Sequence, residues 1–168
     1  MTDTVDITKL LDPIGWHILA ELQDDARIHF SELGRRVGLS TPAVIERVHR
    51  MEEAGIITGY RVEIDRQKVG RPVCAFIRVR VIGDMISHVI ALAREMPEVF
   101  ECHHIAGEDT FLLKVFVPTS EALENIIKKF MPYVATTTML VLSSPVTRRN
   151  LEPLGKLSLS RCFERARL

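Results

Sequence analysis

Side chains able to do chemistry are gathered at three places in this 168-residue chain. Residues 38–50, GLSTPAVIERVHR, set the hydroxyls of Ser40 and Thr41 just ahead of Arg47, His49 and Arg50. Hydroxyls and guanidinium groups in that order suit the base edges and phosphates of a duplex. The segment 106–109, AGED, puts two carboxylates behind a glycine, a set that could meet the ammonium and carboxylate of a small zwitterion. Residues 101–104, ECHH, crowd an acid, a thiol and two imidazoles. In an extended strand Cys102 and His104 share one face and His103 takes the other, so three adjacent residues cannot close on one ion. They read as core or interface side chains, and no metal site is assigned.

Each of the other two places also has a plainer reading. Ser40 could only cap a helix while Arg47 and Arg50 pair with Glu46 and Glu53, and Glu108 and Asp109 could be solvated turn residues. No GxGxxG, Walker or HExxH pattern occurs, and no nucleophile lies beside a base, so neither catalytic residues nor a cofactor are expected.

The elements that must position these residues follow from periodicity. Asp12-Pro13 is a helix start, with the cap residue followed by a proline where its missing N–H costs nothing. Ile14, Ile18, Leu19 and Leu22 then recur at helical spacing, which predicts a helix over 13–23. A second helix starts near 29–31 and stops at Gly38, and a third follows Ser40 or Thr41 with Pro42 in its first turn. Only GLS separates these two, the spacing of a helix-turn-helix, with Leu39 plugging the gap between them. At ~100° per residue Val44, Val48 and Met51 fall in one inward sector. Pro42, Ala43, Glu46, His49 and Arg50 lie opposite, with Arg47 on the flank. Residues 55–57, GII, with Tyr60 and Val62, read as a short strand.

From residue 72 the pattern changes to alternation. PVCAFIRVRVI puts Val73, Ala75, Ile77, Val79 and Val81 on one face and Cys74, Phe76, Arg78 and Arg80 on the other. A helix over 84–96, strands over 98–105 and 110–117, a helix over 120–130 and a strand over 136–143 complete a βαββαβ order. That order is the ferredoxin-like plan, an antiparallel sheet with two helices on one face. The class is therefore α+β, in four parts. These are a helix-turn-helix, winged-helix-like domain over 1–62, a polar linker over 63–71, a ferredoxin-like regulatory domain over 72–146, and a basic tail over 147–168.

Charge is balanced overall, with 22 basic and 22 acidic residues, but it is segregated. Residues 26–50 hold five arginines against two glutamates, whereas 12–25 hold four acids and no Lys or Arg. Local distribution bears on a polyanionic partner more than the sum does. No run reaches the ~18 apolar residues of a membrane span. The N-terminus lacks the basic-then-apolar order of a signal peptide, which favours a cytoplasmic location. Three widely spaced cysteines, Cys74, Cys102 and Cys162, read as buried reduced thiols.

LDPIGWHIL at 11–19, ELGRRVGLSTPAVIERVHRMEEAGIITGY at 32–60, ECHHIAGEDTFLLKV at 101–115 and TTTMLVLSSPVTRR at 136–149 together resemble the Lrp/AsnC (leucine-responsive/asparagine-responsive) transcription regulators. The resemblance implies a DNA-binding domain joined to an effector domain that dimerises through its sheet. Dimers assemble into tetramers or octamers, with amino acids or related metabolites bound between subunits. It places double-stranded DNA against Ser40, Thr41, Pro42, Ala43 and Glu46 for base reading, with Arg47 and Arg50 on guanine or phosphate and Arg35 and Arg36 on phosphate. It places the effector at Gly107, Glu108, Asp109 and Thr110, with Thr136 and Thr138 lining the same interface. Gly15 departs from the acidic residue usual there, which would weaken a surface contact. A stand-alone amino-acid-binding module is the main alternative. Haem-pathway decarboxylases share the two-domain plan, but their His-Asn-Tyr and tryptophan-bearing strand has no counterpart here.

Overall fold

The computed structural model describes residues 7–81, 83–132 and 134–154. They form two compact units, one drawn from 7–62 and 146–154, the other from 63–145. Among the described residues the first unit holds four helices: α1 Ile7–Leu10, α2 Pro13–Asp24, α3 Phe30–Val37 and α4 Thr41–Glu53. The short α1 is an element that helical periodicity did not reveal. It has a single turn, too little for a repeat to show.

Asp12 caps α2 by accepting from the Gly15 N–H at 2.7 Å. Gly38 ends α3 in the left-handed region, at φ 74°. The Leu39 N–H then donates back to the Gly34 carbonyl at 2.8 Å. A Cβ at Gly34 would lie 2.7 Å from the Leu39 carbonyl oxygen, so the close turn depends on that glycine as well. Val44, Val48 and Met51 are fully buried against Ile18 and Leu33, and Leu39 packs at the edge of this core. Burial of that kind contributes about 1.5–3 kcal/mol per large side chain, and it is what holds α4 to its neighbours.

The strand expected from Gly55 to Val62 does not form. The Ile56 and Ile57 amides turn back to the Met51 carbonyl at 2.9 and 3.1 Å, and both side chains pack on the helical core. A strand exists only where a second one satisfies its backbone groups, and among the described residues none pairs with this stretch.

In the second unit β1 Val73–Val81, α5 Ile86–Glu95, β2 Val99–His104, β3 Phe111–Val117, α6 Ser120–Phe130 and β4 Val134–Leu140 follow in order. The sheet runs β2-β3-β1-β4 and every pair is antiparallel. Ala75, Ile77, Val79, Leu113 and Val115 meet Val89, Ala93, Leu123, Ile126 and Phe130 of the two helices in one core. The last strand starts two residues before the expected 136 and ends at Leu140. Its register sets the limits, because Val134 pairs with Val81 and the final rung joins the Val141 N–H to the Cys74 carbonyl. Beyond that lies Pro72, which has no N–H to offer.

The polar stretch 63–71 is tied to the second unit. The Arg66 guanidinium lies 4.0 Å over the Phe116 ring, and Arg71 Nη1 donates to the Pro97 carbonyl at 3.2 Å. Past Val146 the chain is bound to α2 of the first unit. Gln23 accepts from the Leu151 N–H at 2.8 Å and donates to the Leu151 carbonyl at 3.2 Å, and Asn150 Nδ2 donates to Asp24 at 2.5 Å. The basic residues expected of the tail beyond 154, and Cys162, lie outside the described residues.

Candidate functional site

α4 presents the face its sequence implies. Pro42, Ala43, Glu46, His49 and Arg50 are exposed, and Thr41 is half-exposed at the first turn. Ser40 is the N-cap, with its hydroxyl accepting from the Ala43 N–H at 3.4 Å. That bond is long enough for the hydroxyl to be drawn to another partner at little cost.

Arg35 and Arg36 share one carboxylate. Arg35 grips Glu32 with Nε and Nη2 at 2.8 and 2.7 Å, while Arg36 Nε reaches Glu32 at 2.8 Å and its Nη1 reaches Glu21 at 2.6 Å. Hydrogen bonds from Arg35 and then Arg36 hold the Glu32 carboxyl down at about 2. Both arginines stay largely in solvent, at 74% and 46% side-chain exposure. Exposed pairs of this sort are weak, so a phosphate could replace the carboxylate.

Arg47 is placed differently from the expected outward flank. Its guanidinium pairs with Asp12, and Nη2 donates to the Lys9 carbonyl at 3.3 Å. The side chain is only 22% exposed, and its Nε is buried without a partner. Its stem runs back toward α1 rather than out with Arg50. Asp12 is held below the usual carboxylate range, first by the Gly15 N–H and then by Arg47. Lys9, Leu10, Ala43, Glu46, Arg47 and Arg50 line an open groove of ≈ 320 Å³ beside the first turns of α4.

In the second unit the turn 106–109 has its glycine at φ 145°. Of its acids only Asp109 is withdrawn from solvent, since Glu108 remains 72% exposed. Asp109 is 13% exposed and accepts from Arg78 Nε at 2.5 Å, with Arg80 Nε at 3.9 Å. Glu108 pairs with Arg80. The Thr110 hydroxyl accepts from the Val81 N–H at 3.2 Å, and the Thr110 N–H donates to the Val79 carbonyl at 2.8 Å. β1 therefore already supplies counter-charges and donors to the groups assigned to an ammonium ion. Arg78 and Arg80 were legible as a two-residue repeat on the outer face of β1, but their acid partners lie about thirty positions away.

Thr136 and Thr138 do not join that cluster. They sit opposite Val79 and Ile77, on the helix-covered face, whereas Arg78 and Arg80 oppose Thr137 and Ala135 on the open one. Within one chain the six expected effector residues are thus split between two faces. None of them lines a groove of ≈ 520 Å³ in this unit, which runs beside the edge strand β2 past Ile90, Arg94, Phe100, Cys102, His104 and Phe111. Cys102 is exposed and Cys74 half-buried, contrary to the buried thiols expected, and desolvation pushes both thiols up. The bulge between Val99 and Glu101 turns the edge strand and leaves Cys102 at the rim. Among the described residues no group of His, Cys, Asp or Glu is arranged to hold a metal ion.

Residues 11–52 match the AsnC-type helix-turn-helix domain, and residues 74–151 match the Lrp/AsnC ligand binding domain. The HTH-type transcriptional regulator LrpC of Bacillus subtilis is 36% identical over 138 residues, spanning 82% of this chain and 96% of LrpC. The chain belongs to the Lrp/AsnC family. The solved structure of LrpC aligns with a TM-score of 0.78 over 82% of this chain and 99% of that one. Among Lrp/AsnC structures, the Mycobacterium tuberculosis feast or famine regulatory protein complexed with L-methionine aligns at 0.79. It is 32% identical and covers 85% of this chain and 99% of its own. A Neisseria meningitidis transcriptional regulator in complex with L-methionine aligns at 0.79 with 28% identity, over 84% and 96% of the two chains. As an Lrp/AsnC protein the chain is a transcriptional regulator and not an enzyme, and α3–α4 is its DNA-binding helix-turn-helix. No helix among the described residues is long and apolar enough to cross a membrane.

Proposed function

We propose that this Lrp/AsnC regulator reads its operator with Ser40, Thr41, Pro42, Ala43 and Glu46, and that an amino acid modulates its DNA binding or assembly. The carrying observation is the exposed first two turns of α4, presented directly after the tight turn at Gly38. Arg50 anchors on the backbone beside them, and Arg35 and Arg36 exchange Glu32 for phosphate. The domain limits follow the same division, with 1–62 for DNA and 72–146 for effector and assembly, joined through 63–71 and followed by 147–168. The site of action is the cytoplasm.

The methionine-bound relatives support an amino acid as the effector class. The backbone N–H groups around Gly107 are the donors for its carboxylate, since the Glu108 and Asp109 side chains already carry arginine partners. Thr136 and Thr138 face the helix side, so they meet that loop only across an interface between subunits. An apolar surface suited to self-association supports the same picture. The open sheet face displays half-buried Phe76 and Leu112 and exposed Phe100 and Met139, a patch that a second copy would cover. Pairing of these faces gives the homodimer, from which tetramers or octamers are built.

A thermal-shift screen over the amino acids, paired with light scattering with and without each hit, tests this reading. Ligand at 100 times its Kd adds about 2.7 kcal/mol to the stability of the bound state. A chain that stays monomeric and is shifted by no amino acid would overturn both the effector and the assembly assignments. Shifts without any duplex binding would favour the stand-alone amino-acid module.

A further inference from the structure

Arg47 occupies the place on α4 where a DNA contact is expected, yet every one of its polar contacts runs into its own unit. The same Asp12 oxygen that caps α2 also holds the Arg47 guanidinium. Its other contact, the Lys9 carbonyl, belongs to the last turn of α1, where helix carbonyls have no partner within the helix. α1 is itself pinned. Leu10 is 3% exposed in the helical core, and its carbonyl oxygen lies against the bare backbone of Gly15, where a Cβ would collide with it. Arg47 therefore bonds to a fixed point and not to a loose strand end.

This matters for α4 because of what else holds the helix. Val44, Val48 and Met51 anchor it through apolar contacts, which set its distance from α2 and α3 but resist rotation about its own axis only weakly. Arg47 makes both bonds from one nitrogen, Nη2, to two fixed acceptors, and charge-assisted hydrogen bonds of that kind are directional. The residue sits one turn beyond Ala43, on the flank of the reading face. At a side-chain radius of ~5–6 Å, a rotation of roughly 10° would displace Thr41, Ala43 or Glu46 by about 1 Å. Recognition geometry tolerates only ~0.5 Å.

We propose that Arg47 is a positioning residue for sequence reading. Held by Asp12 and the Lys9 carbonyl, it sets the rotation of α4 and makes no contact with DNA, and α1 is thereby part of the reading head. The inference rests on the assignment of α4 as the reader.

The probe is a duplex selected in vitro from a randomised pool by the full-length protein, with a shuffled duplex of the same composition as control. Affinities are measured over a salt series for wild type, Arg47→Met, Arg47→Lys, Asp12→Asn, Arg50→Ala and the Arg47→Met/Asp12→Asn pair, at a temperature where circular dichroism shows all of them folded. Positioning predicts that Arg47→Met and Asp12→Asn each lower the selected-to-shuffled affinity ratio about tenfold, comparable to one mismatched base pair. The pair should be no worse than either single change, and Arg47→Lys, whose ammonium falls one bond short of the Nη2 position, should lose the ratio too. Shuffled-duplex affinity and the salt slope should stay as in wild type, whereas Arg50→Ala should lower the slope by about 1. A phosphate role gives the opposite pattern. Arg47→Met would lower the slope by about 1 and weaken both duplexes equally, Arg47→Lys would be near wild type, and Asp12→Asn would be silent, and that pattern overturns the proposal. A wild-type chain that enriches no duplex overturns the reader assignment, and this inference falls with it.

Discussion

Replacing Gly15 by alanine gives a test that turns on the sign of one number. Inside an ordinary helix this change stabilises by about 0.5–1 kcal/mol, because glycine gives up more backbone freedom on folding. Gly15 is buried near the start of α2, and its missing Cβ leaves room for the Leu10 carbonyl oxygen. An alanine methyl would push α1 off. Leu10 would lose a burial worth about 1.5–3 kcal/mol. The bond from Arg47 to the Lys9 carbonyl, worth about 0.5–1.5 kcal/mol, would go with it. Set against the helix gain, the net change is a loss of about 1–4 kcal/mol. The chain has two units, so a single whole-protein transition is not the right observable. Trp16, the one tryptophan, lies beside the substitution, and its fluorescence during urea unfolding follows the first unit alone. Amide exchange at Leu11, whose N–H donates to the Ile7 carbonyl at 3.0 Å, should quicken in parallel. If Gly15→Ala instead raises the Trp16 midpoint with unchanged Leu11 protection, the docking of α1 against α2 is refuted.

In the effector unit Gly107→Ala forces an L-residue into φ 145° and should abolish any amino-acid-induced thermal shift; an undiminished shift would rule that loop out as the effector site. Glu32 has its pKa lowered in the folded chain from 4.5 to about 2, so its contribution is fully present above about 4.5 and disappears as pH falls through the folded value. Urea midpoints read through Trp16 should therefore drop between pH 4.5 and 2, by less in Glu32→Gln and less again in 1 M salt, and parallel curves for both proteins would count against the Glu32 cluster. Gln23→Ala removes both bonds to Leu151, and the Leu151 amide should exchange at the rate of an unprotected peptide while Trp16 unfolding shifts by about 1 kcal/mol or less.

Most of the fold was legible from residue types in their local order. α6 spans Ser120–Phe130, the range the spacing gives, because Thr119 caps it and its apolar positions recur at helical spacing. β1 showed through alternation, since one of its faces packs on helices and the other does not. Failures came where an element depends on a partner. Residues 55–62 have β-rich composition but no neighbouring strand among the described residues, and β4 runs over 134–140 instead of 136–143 because its limits come from β1. Gly15 looked like a lost surface contact and is a buried point of close approach.

The site divides in the same way. Cap, turn and inward stripe depend on residues within four positions of one another, so Ser40, Gly38 and the Val44–Val48–Met51 set could be read without coordinates. The sequence by itself therefore determined that α4 stands directly behind a tight turn with its first residues outward. The partners of the charged side chains could not be read that way. Arg47 finds Asp12 thirty-five positions earlier, and Asp109 finds Arg78 thirty-one positions earlier, at distances only the folded chain sets. Which face Thr136 and Thr138 occupy likewise follows from pairing with β1, since one step of register would move both to the other side. Tertiary structure decided those matters, because a charge takes the nearest counter-charge in space, and proximity in space is a property of packing and not of order along the chain.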